Sequence, residues 1–299
     1  MTAPAVAARP PARLSARFRR RLGVLGFLFS PVGLLLLFFV APMAIMLQVS
    51  FEHSSAYSLE TGYTLDNYRE ILTNPLYRDV ARDTLVIATA AMAVQFLLAV
   101  PLAYVMAFRA GRFELPLLLA LVLADELNPI VRIYAWRELL GRQGLINDAL
   151  HWMGLIDKPL DWLLFSKFAV VTVLSTSWLT YTVIPIYAAM KAIDAGVFEA
   201  ALDLGAGWFT TFRRILIPLA APGVFVAVIL VYIPLFSEFA TPALVGGRSG
   251  YMLGSIANSL ILEEGDWGAG AALNFLLLLA SGLVSVLAYY LSKLNQIDR

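Results

Sequence analysis

Asp125, Glu126, Asn128 and Arg132 put two carboxylates, an amide and a guanidinium into a stretch, Leu115 to Trp136, whose flanks are apolar. Side chains of this kind in apolar surroundings are suited to holding an ion or ion pair. On membrane-insertion scales a central Asp costs about 2.5–3.5 kcal/mol, so such acids must face water or a cation rather than lipid. At about 1.5 Å per residue, Asp125 and Glu126 stand roughly 15 Å into the run. Asp125, Asn128, Pro129 and Arg132 share one helical stripe by the three-and-four spacing, and Pro129 leaves the Asp125 carbonyl without its N–H donor. Two roles fit this polar seam: a cation-selective site in a pathway, or a structural arrangement. The second is met by an ion pair with Arg132 or a partner subunit, or by a helix that ends early in a water-filled vestibule. Trp178 and Tyr181 offer ring faces for cation–π contact with an alkylammonium chain, and serve equally as packing. Glu238 closes an apolar run, where a carboxylate either draws cations to a mouth or sits at an interface in water.

Other chemistries are excluded by what the chain lacks. It has no Cys and two His, His53 and His151, so no metal ion, haem or iron–sulfur cofactor is expected. No Gly-Lys pair occurs, so no phosphate-cradling Walker loop is present and the chain does not itself bind ATP. A net charge of +1 with basic residues dispersed among connections implies no nucleic-acid partner. Without a nucleophile, metal or cofactor motif, no enzyme activity is expected.

The elements that must carry these residues are membrane spans. At 60% hydrophobic and 14% charged, the chain has too much apolar surface for a soluble domain of 299 residues, and lipid must be its solvent. Leu22–Phe51, Thr84–Phe108, Phe168–Met190 and Trp267–Ser292 contain no Asp, Glu, Lys or Arg. Ile215–Ser237 is equally free of charge, but Pro218, Pro222 and Pro234 predict a helix that starts near Pro218 and bends toward its far end. With Leu115–Trp136 the count is six, in an all-α integral membrane protein. Lys and Arg gather before the first span, at Arg109 and Arg112, at Lys191, Arg213 and Arg214, and at the end, which predicts both termini on the cytoplasmic side. Residues 1–21 read as a disordered basic cytoplasmic tail and 22–299 as the six-span domain. The first run is too long for a cleaved signal segment. The outer connections, Glu52–Asp83, Arg137–Lys167 and Glu238–Asp266, are longer, and Leu145–Leu155 is amphipathic enough to lie on a membrane surface.

Between the fourth and fifth spans lies the polar insert Glu199–Pro218, EAALDLGAGWFTTFRRILIP. Its residues predict a short helix through Leu204, a turn at Gly205 with positive φ, and a second helix from Trp208 to Ile215. Glu199, Ala200, Ala201, Gly205, Ile215, Ile217 and Pro218 fall at the spacing E-A-A-x3-G-x9-I-x-L-P. This resembles the EAA loop of the permease subunits of ATP-binding cassette importers, with Ile217 in place of the pattern's Leu.

The resemblance implies a cytoplasmic coupling helix-turn-helix that sits in a cleft of a partner ATPase dimer, which binds the ATP. It further implies an extracytoplasmic substrate-binding protein, a second and distinct permease subunit, and alternating access around a central path for a small solute in the cell (inner) membrane. The phrases Tyr63–Tyr68, Val131–Trp136, Gly144–Asn147, Glu238–Pro242 with Gly246-Gly247, and Asp266-Trp267 are similar to the spermidine/putrescine permeases of polyamine importers. The implied cargo is a polyamine; permeases for iron, sulfate, phosphonate and opines share the architecture. From their own chemistry and placement, Asp125, Glu126, Asn128, Trp178, Tyr181 and Glu238 are the candidate pathway residues, although the acids at 125 and 126 depart from the aromatic and small polar residues expected there in polyamine permeases. A self-contained secondary transporter would also fit six spans, but leaves the insert's spacing without a purpose.

Overall fold

The structure is a computed structural model that describes residues 31–55 and 58–297. The basic tail at 1–21 and the start of the first apolar run lie outside the described residues. The chain divides after Val49. The described residues of the first unit form one helix, α1 (Pro31–Val49), with a mean hydropathy of 2.4 and a π-helical turn at Leu36–Val40. Nineteen residues at about 1.5 Å each span roughly 28 Å, close to the thickness of a hydrocarbon core.

The second unit opens on an antiparallel hairpin of β1 (Glu52–Ser55) and β2 (Ser58–Tyr63), which pairs Glu52 with Tyr63 and His53 with Glu60. This corrects the all-helical expectation. The segment is too polar to bury against a helix, and strand pairing satisfies its backbone instead. There follow α2 (Asp66–Thr73), α3 (Pro75–Phe108), α4 (Glu114–Asp125), α5 (Pro129–Leu140), α6 (Leu145–Trp152), α7 (Lys167–Ser177) and α8 (Leu179–Lys191). The chain continues through α9 (Ala195–Asp203), α10 (Trp208–Leu219), α11 (Ala221–Phe236), α12 (Leu253–Leu262) and α13 (Trp267–Ile297).

Among the described residues three helices, α1, α3 and α13, are long and apolar enough to cross a membrane by themselves. The count reaches five if the bent pairs α7–α8 and α10–α11 are each one span. The run Leu115–Trp136 is not a continuous helix. It breaks at residues 126–128, where the Asn128 side chain accepts from the Ile130 N–H at 2.9 Å and Pro129 opens α5 as a first-turn proline. The fifth run also differs from its expected form: its 63° bend lies at Ala220, near the start, and Pro234 is accommodated inside α11. Pro222 lacks the N–H that would carry the ladder back to Pro218, which frees the chain to turn there.

Among the described residues three apolar cores hold the unit together, one of them joining Ile71 of α2 to Leu260 of α12 and Leu273 of α13. A second gathers Ile87, Ala91, Val173, Leu174, Val231 and Leu235 from α3, α7 and α11. The third joins Ala99, Ala103 and Met106 of α3 to Ile186 and Met190 of α8 and to Leu216, Ala220 and Ala227. In lipid there is no hydrophobic drive between helices, so close approach through small residues does this work. Gly223 shows how close: a Cβ there would stand 2.4 Å from the Pro185 carbonyl oxygen and 2.5 Å from the Ala189 Cβ.

Gly223→Ala should therefore push α11 from α8 and lower stability by about 1–3 kcal/mol. Gly282→Ala, on a stretch of α13 with nothing within 4 Å of the added Cβ, should leave stability unchanged or slightly raised. Thermal unfolding of the two purified variants beside the parent checks the contrast.

Candidate functional site

Three chain breaks meet at one place. α4 ends at Asp125 and α5 starts at Pro129; α7 ends at Ser177 and α8 starts at Leu179; α11 ends at Phe236 and a turn runs through Glu238 into a π-helical segment, Pro242–Gly246. A helix end exposes backbone groups that the helix itself cannot pair, so the wall they form carries polar groups among apolar side chains. The cleft between them encloses about 160 Å³, and Asp125, Arg132, Trp178, Tyr181, Glu238 and Thr241 line it. Of the six pathway candidates read from sequence, four share this wall. Glu126 and Asn128 are exposed and do not line the cleft, and Asn128 serves as the cap of α5.

Arg132 organises the site. Its Nη1 donates to the Ser177 carbonyl at 2.9 Å, and its Nη2 donates to the carbonyls of Asp125 at 3.0 Å and Leu127 at 3.2 Å. The Asp125 carbonyl, deprived of an N–H partner by Pro129, thus finds its donor in a side chain one helix further on. Arg132 Nη1 also stands 3.6 Å from Asp125 Oδ1, with the two side chains 16% and 18% exposed. The Asp125 carboxylate is accordingly already engaged with a cation, and Tyr181 lies beside it.

Gln95 mirrors Arg132 from the core side. It is fully buried on α3, donates from Nε2 to the Leu174 carbonyl at 3.1 Å and accepts from the Thr182 hydroxyl at 2.6 Å. It ties the end of α7 to the first turn of α8 across their 47° bend. Trp178, at the bend itself, is half-buried and packs on the core, while Tyr181 is 42% exposed; their ring centroids are 5.5 Å apart.

Glu238 is held without a cation. Its Oε1 accepts from the Thr241 N–H at 3.2 Å and the Thr241 hydroxyl at 3.3 Å, which fixes the carboxylate over the start of the π-helical segment. Behind it, Gly254 packs so tightly that a Cβ would lie 2.6 Å from the Glu238 carbonyl, and the Ser255 hydroxyl donates to the Phe239 carbonyl at 3.3 Å.

The insert between α8 and α11 forms a second feature. α9 ends in a Schellman turn, with Gly205 at φ +83° and the Ala206 N–H donating to the Ala201 carbonyl at 3.0 Å. Only a residue without a Cβ takes this conformation freely. Glu199 is placed by its backbone alone, its side chain lying outside the described residues; Ala200 is exposed and Ala201 buried. Leu204, at the tip, is 89% exposed. α10 is anchored by Trp208 stacked on Phe212 at 5.4 Å, both edge-on to Tyr104 of α3, and by Leu216, which enters the core fully buried. Ile215 and Pro218 are half-buried and Ile217 exposed beside it.

Close to this insert Lys191 at the end of α8 pairs with Glu114 Oε2 at 2.7 Å, and the Tyr187 hydroxyl donates to Glu114 Oε1. The Lys191 hydrogen bond, and then that of Tyr187, holds the Glu114 carboxyl below the ordinary carboxylate range. Gln95, Glu114 and Thr241 were not singled out in the sequence. Gln95 carried a signal, as the one amide in an otherwise charge-free apolar run, and Thr241 lies in the family-like phrase Glu238–Pro242; Glu114 carried none.

Comparison with known proteins gives a concordant result. Residues 83–295 match the family model described as binding-protein-dependent transport system inner membrane component. The chain is 33% identical over 264 residues to the spermidine/putrescine transport system permease protein PotB of Escherichia coli K12, covering 88% of this chain and 95% of that protein. It is 30% identical to the PotB of Haemophilus influenzae, covering 87% and 91%. A crystal structure of a bacterial ABC transporter that imports the acidic polysaccharide alginate holds a chain of the same fold, with TM-score 0.72, 16% identity, and 93% and 97% of the two chains covered.

The geometry around Arg132 predicts the outcome of two substitutions. Asp125→Asn removes the charge facing a mostly buried guanidinium and should lower stability by about 1–3 kcal/mol. Arg132→Gln strands the carbonyls of Asp125, Leu127 and Ser177 and should cost more. Thermal unfolding and folded yield check the order; a neutral Arg132→Gln would show that these carbonyls find other donors.

Proposed function

The chain belongs to the family of binding-protein-dependent transport system inner membrane components, and from that premise we propose that it forms half of the translocation pathway for a polyamine such as spermidine or putrescine. Members of this family are multi-pass inner-membrane permeases of ATP-binding cassette importers, and the chain is not an enzyme. The finer reading adds six spans, the sixth being α4 and α5 with their break, and both termini on the cytoplasmic side. Its partners are a cytoplasmic ATPase dimer, a second permease of related but distinct sequence, and an extracytoplasmic binding protein that delivers the cargo.

The observation that carries the mechanism is the α9–Gly205–α10 knob. Its tip is exposed while its far end, Leu216, is locked into the core that α3, α8 and α11 share. A push or pull on the tip is thereby handed to α11 through the bend at Ala220, and Glu238 stands in the cleft just beyond the end of α11. The Glu114–Lys191 pair links the end of α8, just before the knob, to α4, whose other end carries Asp125. ATP-driven closure of the ATPases would move these helices as stiff pieces about their breaks and expose the path to each side in turn. Polyamine as cargo is supported by the names of the relatives and by a cleft that offers carboxylates and aromatic faces together. The alginate importer's likeness is one of fold and says nothing of this chain's cargo.

Two experiments test the reading. Gly205→Val, which forces a β-branched residue into φ +83°, should cut ATP-dependent uptake of spermidine by about tenfold or more while the variant still inserts and folds. Normal uptake would remove the turn from the mechanism. Tags placed at residues 5 and 207 should be shielded from membrane-impermeant reagents in intact cells, and a tag at residue 250 should be accessible; an accessible residue 207 would invert the orientation and exclude the ATPase contact.

A further inference from the structure

We propose that Glu238, rather than Asp125, is the residue that receives a primary ammonium group of the cargo, and that Asp125 belongs to the scaffold of the cleft. The inference rests on the polyamine reading above. The two carboxylates share one wall but differ in what they already hold. Asp125 faces Arg132 at 3.6 Å with Tyr181 beside it, so its charge is spent within the protein. Glu238 is in no ion pair among the described residues; Oε1 is oriented by Thr241 and Oε2 has no protein partner there. Two carboxylates and one guanidinium leave the cleft a net charge of −1 (−1 −1 +1), and the uncompensated charge is that of Glu238. A charge in a half-enclosed cleft is less screened than one in bulk water, so it attracts a monovalent cation and repels an anion.

Geometry favours an ammonium over other cations. A metal ion needs several oxygen or nitrogen ligands converging on one point, and no cluster of three metal-ligating side chains occurs among the described residues. A primary ammonium needs one carboxylate and gains from ring faces, and Trp178 and Tyr181 present a corner of two rings in the same cleft. The alkyl chain that follows the ammonium would lie along these rings. Glu238 is also preset for the task. Gly254 pins its backbone from behind, Ser255 holds the next carbonyl, and Thr241 fixes the carboxylate, so little ordering is needed when the cation arrives. As Glu238 stands just beyond the end of α11, the helix that the knob drives, movement of that helix would carry the ammonium site with it.

The test is uptake of radiolabelled spermidine and putrescine by proteoliposomes holding the full complex, with saturating loaded binding protein, normalised to folded complex. Wild type should transport; failure to transport either amine overturns the cargo reading and this site with it. Glu238→Gln, which keeps shape and the Thr241 hydrogen bonds, should lower the rate by about tenfold or more with thermal stability unchanged. Asp125→Asn, with Arg132 retained to hold the cleft together, should lower thermal stability, while its uptake per folded complex stays within about threefold of wild type. Equal uptake by wild type and Glu238→Gln, or a loss per folded complex confined to Asp125→Asn, overturns the assignment while leaving the cargo reading intact. Should Glu238→Gln fail to assemble, Glu238→Asp decides: retained charge at shorter reach should give an intermediate rate, and a rate equal to wild type overturns the proposal.

Discussion

A helix that stops leaves carbonyls it cannot pair within itself, and the second unit of this protein is organised around meeting that demand. Each unpaired group in a hydrocarbon core costs several kcal/mol, so broken helices persist only where a side chain or water supplies the missing donor. Arg132 supplies it for α4 and α7 together, through the carbonyls of Asp125, Leu127 and Ser177, and Gln95 adds a second donor to the Leu174 carbonyl, which already accepts from the Trp178 N–H. The charge of Arg132 then has to be matched, which places Asp125 where it is. What remains is a cleft of charged groups and aromatic faces, with one carboxylate, Glu238, that is in no ion pair among the described residues.

The same breaks divide the bundle into stiff segments joined at defined points. α10 and α11 meet at Ala220 with a 63° bend, α7 and α8 at Trp178 with one of 47°, and α4 and α5 at residues 126–128. Leu216 at one side of a bend and Gly223 at the other are both fixed in tight contacts, so α10 and α11 lean on the core rather than on lipid. Such a body changes shape by turning rigid pieces about hinges, since close-packed interiors do not deform continuously. On the proposed mechanism, the exposed knob and the cleft are ends of one lever.

How much of this was legible in the sequence can be judged from particular residues. The turn at Gly205 was read correctly, because a glycine between two short helical patterns has one physical use there and its φ is +83°. Charge-free runs gave α3 and α13, since length and hydropathy are local properties. The break at 126–128 was visible in Asn128-Pro129, a cap followed by a first-turn proline, yet was smoothed over when Asp125 through Arg132 was treated as one helical stripe. The bend expected toward the far end of the fifth run lies instead at Ala220, because Pro222 and Pro234 look alike until the contact at Gly223 is known. The β-hairpin was missed because its polar residues carry no apolar alternation. Four candidate pathway residues from three distant segments line one cleft, and that convergence is a property of packing which no single segment contains.

The absence of cysteine from the chain allows one probe to reach the central claim, that the α9–α10 knob is the contact through which an ATPase drives the permease. A single cysteine introduced at Leu204, on the exposed tip, and another on the partner ATPase's receiving surface can be joined by a thiol cross-linker in the assembled complex. The account predicts that the cross-link forms, that its yield changes between nucleotide-free and ATP-bound states, and that closing it stops transport. A cysteine at position 204 that reacts with membrane-impermeant reagents from outside, or that never joins the ATPase while the complex transports, would contradict it.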